Sequence, residues 1–244
     1  MSLPVSEARV VHDQRPSAPP PLSFLVPAFN EIQSIESVLE ALNGFPESHE
    51  IIVVDDGSTD GTREKLESLR PANTLVLFHA ANGGKGAAVR TALARARGRF
   101  TAIQDADLEY DPLDYRGLLD VARRDNARAV FGSRFLRANP NIYRRFLWGN
   151  RLMTAWINGL TGARYTDTYT CYKLIESDLF RALALEARGF EMEAEICVKL
   201  SARGVFPTEV PIHYKPRRVE EGKKIGWRDF FKGVFAALKH RRPK

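Results

Sequence analysis

Asp105, Asp107 and Glu109 stand at alternate positions in QDADLEYDP, directly after the apolar run FTAI. In an extended chain alternate side chains share one side, so the three carboxylates would crowd one space and repel one another. A cation would relieve that repulsion. Mg²⁺ or Mn²⁺ suits the task, because hard divalent ions are commonly held by one or two carboxylates together with substrate phosphates. The ion would offset negative charge building on a departing diphosphate. An acidic turn ahead of Pro112 is the plainer alternative.

Three more apolar runs end in polar sequences: LSFLV in VPAFNE, EIIVV in DDGSTDGT, and TLVLFH in ANGGKGAA. A carboxylate at Asp55 or Asp56 could accept hydrogen bonds from a ribose or from the N–H edge of a base, or could cap a turn or the next helix. ANGGKGAA could offer backbone N–H groups and Lys85 to phosphate at a helix N-terminus. It lacks the spacing of a P-loop, and no GxGxxG follows the first run, which argues against a dinucleotide-dependent oxidoreductase.

These endings need elements to bring them together. The strand candidates LSFLV, EIIVV, TLVLFH, FTAIQ and ARAVFG alternate with helical patterns. Ile32, Ile35, Val38, Leu39 and Leu42 recur at helical spacing with Asn30 as their expected N-cap, and Ala88, Val89, Ala92, Leu93 and Ala96 do the same. Alternation of this kind predicts parallel strands with crossover helices, a mostly parallel α/β sheet. Ligands then gather beyond the carboxyl ends of the strands. Residues 1–21, rich in Pro and Ser, are expected to be a flexible lead-in. The last piece, from Gly226, aligns Trp227, Phe230, Phe231, Val234, Phe235 and Leu238 on one helical face beside Arg228, Lys232 and Lys239. That pattern fits an interfacial helix or a terminal helix docked through its aromatics.

Composition bounds the function. The 244 residues carry a net charge of +6. From His213 onward 11 Lys/Arg face 3 Asp/Glu, whereas the preceding residues hold 25 and 27. A near-neutral body with a basic tail suits an anionic membrane surface or a nucleic acid. No apolar run is long enough for a membrane span, the first twenty residues carry Glu7, Asp13 and prolines rather than a signal sequence, and two cysteines give no disulfide framework. A cytoplasmic compartment is expected.

In order and spacing, VPAFNE, VVDDGSTDGT, GGKGAAVRTAL, QDADLEYDP and GSRF resemble the family 2 inverting glycosyltransferases of GT-A fold. Within that family the similarity is to the dolichyl- and polyprenyl-phosphate sugar synthases, over residues 22–225. The resemblance implies a Rossmann-like GT-A domain over 22–225, followed by a basic amphipathic segment over 226–244. It implies that Pro27, Ala28, Phe29 and Glu31 line the base pocket beside Asp55, with Asp56 reading the base. Lys85, Asp105 and Asp107 would serve the donor phosphates, and Asp105, Asp107 and Glu109 the metal. Glu109 holds a place where that branch has glutamine or a similar ligand. Arg134 would face the acceptor's phosphate, Asp167 of DTYTCYK would lie near it, and EGKKI would bring Lys223 and Lys224 over the phosphates. In FEMEAEI, Glu191 and Glu195 share a helical face and Glu193 points away; Glu195 joins Asp105, Asp107 and Arg134 as a catalytic candidate.

The implied reaction is a single inverting displacement from a nucleotide sugar of GDP-mannose or UDP-glucose type. A lipid-phosphate acceptor is already an anion and needs no base, whereas a carbohydrate hydroxyl would require one, drawn from Glu191, Glu195 or Asp167. The lack of a clear Glu-Asp base motif there favours a polyprenyl or dolichyl phosphate, met at the inner face of a membrane by peripheral contact. A small membrane-protein partner could supply the transmembrane helices other members of the branch carry. A nucleic-acid-binding protein is the competitor from another class. It is disfavoured because no such motif is present and the acid clusters would repel phosphates.

Overall fold

The computed structural model describes residues 8–69, 71–139, 144–216 and 227–241. Strands β1 (Arg9–Asp13), β2 (Leu22–Ala28), β3 (His49–Asp55), β4 (Thr74–Phe78), β5 (Phe100–Ile103), β6 (Ala129–Ser133), β7 (Lys173–Glu176) and β8 (Thr208–Pro211) form one sheet in the order β1-β4-β3-β2-β5-β7-β6-β8. The four central strands, β4, β3, β2 and β5, run parallel, and β6 runs parallel to β8. Strand β7 is antiparallel to both of its neighbours.

The central strands read as nearly continuous apolar runs because both their faces are covered. Phe24, Val26, Ile51, Val53 and Val76 look one way, against α1 (Ile35–Asn43) and α4 (Tyr115–Arg124). Leu25, Ile52, Val54, Leu75 and Leu77 look the other way, against α3 (Lys85–Leu93), α7 (Met192–Ala202) and Ala237 of α8 (Trp227–His240). The second layer also holds α5 (Arg144–Thr161) and α6 (Ser177–Ala182), while α2 (Thr62–Ser68) sends Leu66 into the first. The mostly parallel α/β sheet expected from the sequence is therefore present.

Two expectations are corrected. Part of the lead-in, Arg9–Asp13, is an edge strand antiparallel to β4. Its β-branched Val10 and Val11 suit a strand, and the chain beyond it is tied down. Arg15 pairs with Asp13 at 2.6 Å and donates to the Arg95 carbonyl, and Arg97 donates to the Pro16 carbonyl. Asn30 does not cap α1, whose N-cap is Ser34. It takes a left-handed conformation at φ 53° and accepts a hydrogen bond from the Thr59 amide, joining the loops after β2 and β3.

One buried carboxylate locks the opposite end of the sheet. Glu50, fully buried on β3, accepts from Ser23 Oγ at 2.7 Å, from the Arg97 amide at 2.7 Å and from Arg97 Nε at 2.9 Å. Glu50→Ala leaves Ser23 without its acceptor, while Arg97 (30% exposed) can still reach water. The expected cost is about 2–3 kcal/mol of stability, measured by urea unfolding.

Candidate active site

The chain fills β2, β3 and β4 outward on one side and then returns to β5 on the other, so a crevice opens above the β2–β5 boundary. Such a reversal point at the carboxyl ends of the strands is where open α/β sheets bind ligands. Ala28 is laddered to Asp55, and Asp55 to Phe78, while Ile103 pairs with Leu25. The four polar loops of the sequence leave from this edge.

Asp55 and Asp56 differ in role. Asp55 is fully buried. Its Oδ2 accepts from Arg63 Nη2 at 2.8 Å and Nε at 3.0 Å, and its Oδ1 is buried with no hydrogen-bond partner. Asp56, the residue expected to read a base, has its carboxylate engaged in the neighbouring loop. It accepts from the Gly83 amide at 2.9 Å, the Gly84 amide at 2.7 Å and, through Oδ1, pairs with His79 Nδ1 at 2.6 Å. His79 Nε2 lies 2.9 Å from Thr91 Oγ1 on α3. The reason is local: Gly84 sits at φ 93° against the Arg188 carbonyl, and this tight turn needs an acceptor for its amides. Ala28 is also displaced from its expected role, being buried in the core, while Pro27 and Phe29 are half-buried at the edge. Glu31 lies 2.8 Å from Ser34 Oγ, which also reaches the Ala106 carbonyl and so ties the first loop to the acidic one.

The acidic loop does not continue the strand. Leu108 turns it through the left-handed region at φ 57°, so the alternation expected of Asp105, Asp107 and Glu109 is broken. Asp107 Oδ1 accepts from the Glu109 amide at 3.1 Å, and Glu109 Oε2 accepts from the Tyr214 hydroxyl at 2.8 Å. Asp105 pairs with Lys85 Nζ at 2.8 Å. Among the described residues no three His, Cys, Asp or Glu side chains converge as a metal cage. The donor set still fits a hard dication of the kind that completes its shell with phosphate oxygens: Asp105 and Asp107 would hold it, and an ammonium group already stands against Asp105.

Lys85 also lies 3.1 Å from Glu193 Oε1, and Glu193 is paired in turn with Lys173. Lys173 is fully buried and donates to the Thr168 and Thr170 carbonyls. Burial works against the charge on Lys85, yet Asp105 and Glu193 together lift its pKa well above the ordinary lysine value. Glu193 is thus the acid of FEMEAEI that enters the site. The helical periodicity separated it correctly from Glu191 and Glu195, but the face turned toward the site is the opposite of the one expected. Lys173, a charge inside the apolar strand CYKLI, was the available signal.

Glu195 is corrected from catalytic candidate to anchor. Fully buried, it accepts from the Glu186 and Ala187 amides at 2.8 Å each and pairs with Lys199 at 2.6 Å. Glu191 accepts from the Gly189 amide at 3.0 Å. Asp167, expected beside the acceptor, is fully buried as the counter-ion of Arg134, which donates Nε to Oδ2 at 2.7 Å and Nη2 to Oδ1 at 2.8 Å. The Arg134 amide at 3.1 Å and Asn150 at 3.0 Å add two further donors, and the Arg134 guanidinium lies 5.1 Å from the Tyr214 ring. Burial alone would raise the Asp167 pKa, but Arg134 and these hydrogen bonds hold it below the usual carboxylate value. Lys223 and Lys224 lie outside the described residues.

Beside the site, α5 and α8 pack on each other and both show apolar faces outward. Trp148 (66% exposed), Leu152 and Trp156 repeat along α5, and Phe231, Phe235 (69% exposed) and Leu238 along α8. The inner face of α8 is docked through Phe230, Val234 and Ala237, so the helix is both docked and outward-facing. Among the described residues no helix is long and apolar enough to cross a membrane.

Residues 23–183 match the model of glycosyl transferase family 2. The chain is 30% identical over 203 residues to glycosyltransferase AglJ of Haloferax volcanii, covering 82% of this chain and 64% of that protein. It is 27% identical over 216 residues to the undecaprenyl-phosphate mannosyltransferase of Micrococcus luteus, covering 83% and 86%. The chain thus spans less than two thirds of AglJ's length, and about half of some other relatives. Among solved structures, glucosyl-3-phosphoglycerate synthase from Mycobacterium tuberculosis, in complex with Mn²⁺, UDP and its product, superposes with a TM-score of 0.62 at 22% identity, over 92% of this chain and 81% of that one. At that identity the likeness speaks for the GT-A fold.

The Arg134–Asp167 pair sets a pH-dependent prediction. Because the folded pKa of Asp167 is depressed, its contribution is present above the ordinary carboxylate pKa and is lost as pH falls through the folded value. Asp167→Asn should cost about 2–4 kcal/mol at pH 6 by leaving Arg134, its side chain only 13% exposed, without its counter-ion. The gap from the parent protein should narrow below pH 4 in urea titrations.

Proposed function

The chain belongs to glycosyl transferase family 2, and we propose that it moves a hexose, with inversion, from a nucleotide sugar of GDP-mannose or UDP-glucose type to a polyprenyl or dolichyl phosphate at a membrane surface. The observation that carries this reading is the pairing, along one strand edge, of a buried unpartnered acceptor on Asp55 with the Lys85–Asp105 couple. The first suits a base N–H and the second a diphosphate, and the half-buried Pro27 and Phe29 offer apolar surface to the base between them. Mg²⁺ or Mn²⁺, when bound, would supply positive charge to the leaving nucleoside diphosphate, with Asp105 and Asp107 as its protein ligands. Lys85, at the first position of α3, would face the same phosphates along with the amide end of the helix.

The acceptor side supports an anionic nucleophile rather than a hydroxyl. Asp167 is engaged by Arg134, Glu195 by backbone amides and Lys199, and Glu193 by Lys85 and Lys173, while Glu191 is held through one oxygen by the Gly189 amide. A phosphate needs no general base, only orientation and charge. The guanidinium edge of Arg134 that Asp167 leaves would give the first, and Lys223 and Lys224 would add the second. The outward aromatic rows of α5 and α8, interleaved with Arg151, Lys232 and Lys239 on the exposed surface, support peripheral docking on an anionic membrane. This would bring the site to a lipid-borne acceptor.

The reading predicts metal-dependent transfer of radiolabelled sugar from one nucleotide donor into a short polyprenyl phosphate, followed into the organic phase. Asp105→Asn should lower the rate on the order of 10²-fold or more, since it removes a ligand of the charge-neutralising ion. Donor hydrolysis without lipid labelling would move the acceptor to a carbohydrate hydroxyl. Full activity in Asp105→Asn would overturn the metal assignment.

A further inference from the structure

Lys85 stands where the donor-site acids need a cation. Its side chain is 11% exposed, with Nζ between Asp105 Oδ1 at 2.8 Å and Glu193 Oε1 at 3.1 Å. Glu193 has Lys173 as its second partner, so two acids and two ammonium groups form a ladder without net charge, buried at Lys173 and Glu193 and reaching the surface at Asp105, 22% exposed. The backbone under Lys85 is fixed. Asp56 accepts both glycine amides that precede it, and the Ala87 amide donates to the Gly84 and Arg188 carbonyls. A Cβ at Gly84 or Gly86 would collide with the backbone at Ala187 and Arg188, so the turn cannot slide. With this turn held, any movement at Lys85 falls to its side chain.

A dication arriving alone at Asp105 would therefore meet an ammonium group whose other acid, Glu193, already carries Lys173, in a site largely shielded from water. The described residues offer no cage of three ligands to compensate. A nucleoside diphosphate changes both conditions, because its oxygens complete the ion's shell and give Lys85 a new anionic partner. We propose that Lys85 is the resident counter-ion of the donor-site acids, and that a divalent cation replaces it only together with a nucleoside diphosphate. This rests on the donor-site reading above and adds to it a residue that suppresses metal binding in the nucleotide-free enzyme. Metal and nucleotide then each raise the other's affinity by the same factor, as linkage requires.

The test is Mn²⁺ binding to the purified full chain, read from the electron paramagnetic resonance signal of the free ion, alone and with GDP or UDP. The parent protein should bind Mn²⁺ weakly alone and at least tenfold more tightly with the matching nucleotide. Lys85→Met should bind Mn²⁺ alone at least tenfold more tightly than the parent, with the nucleotide's enhancement reduced. Lys85→Arg, which keeps the charge, should follow the parent. Lys85→Gln, neutral and polar, replaces Lys85→Met if thermal melting shows the latter unfolded. Equal or weaker binding of Mn²⁺ alone to the neutral variants, beside a parent that responds to nucleotide, would overturn the inference and leave the donor site standing. A parent that binds no Mn²⁺ with either nucleotide would remove the donor-site reading and the inference with it.

Discussion

Ala28, Asp55 and Phe78 lie side by side at the ends of three parallel strands, with Ile103 of the fourth paired to Leu25. The four donor-side loops begin from that line. Both faces of these strands are buried, so a slip of one residue in any of them would turn a set of core side chains to the wrong layer. The ladder continues past the strands: the Asp56 amide donates to the Ala28 carbonyl, the His79 amide to that of Asp55 and the Gln104 amide to that of Leu25. The loops thus leave the sheet already oriented. Asn30 with Ser58 and Thr59, and Asp56 with Gly83 and Gly84, then bind each loop to the next.

Charge inside such an edge cannot be left to solvent. A carboxylate removed from water is costly unless paired and hydrogen-bonded, and the site obeys this except at Asp55 Oδ1. Arg63 covers one oxygen of Asp55, Arg134 covers Asp167, and the alternating acids and amines from Asp105 to Lys173 neutralise one another. The same ladder connects the two halves of the site, since Lys173 is held by carbonyls of the loop that carries Asp167. The donor edge and the segment beside Arg134 are parts of one buried polar network.

The sheet was legible in the sequence because strands buried on both faces leave uninterrupted apolar runs, and the convergence of four polar loops followed from parallel topology alone. Strand β1 was hidden: RVVHD is short and precedes a proline-rich run, and its pairing with β4 is non-local. The acid loop misled because alternation presumes extension, and one left-handed residue, Leu108, removes it. Helical phase separated Glu193 from Glu191 and Glu195, but phase says nothing about which face meets the site; that depends on how α7 packs under Lys173. Asp55 and Asp56 could not be told apart beforehand because two adjacent aspartates look alike in sequence. They differ only in what their loops require, one facing an arginine and the other a glycine turn.

A crystal structure with GDP or UDP and Mn²⁺ tests the central claim most directly, namely that this strand edge is a nucleotide-sugar site. The account predicts the base against Pro27 and Phe29 with a ring N–H directed at Asp55 Oδ1. It also predicts the diphosphate between Lys85 and a cation on Asp105, with Lys85 withdrawn from that carboxylate. A nucleotide bound elsewhere, or bound here with the Lys85–Asp105 pair intact and no cation, would contradict it.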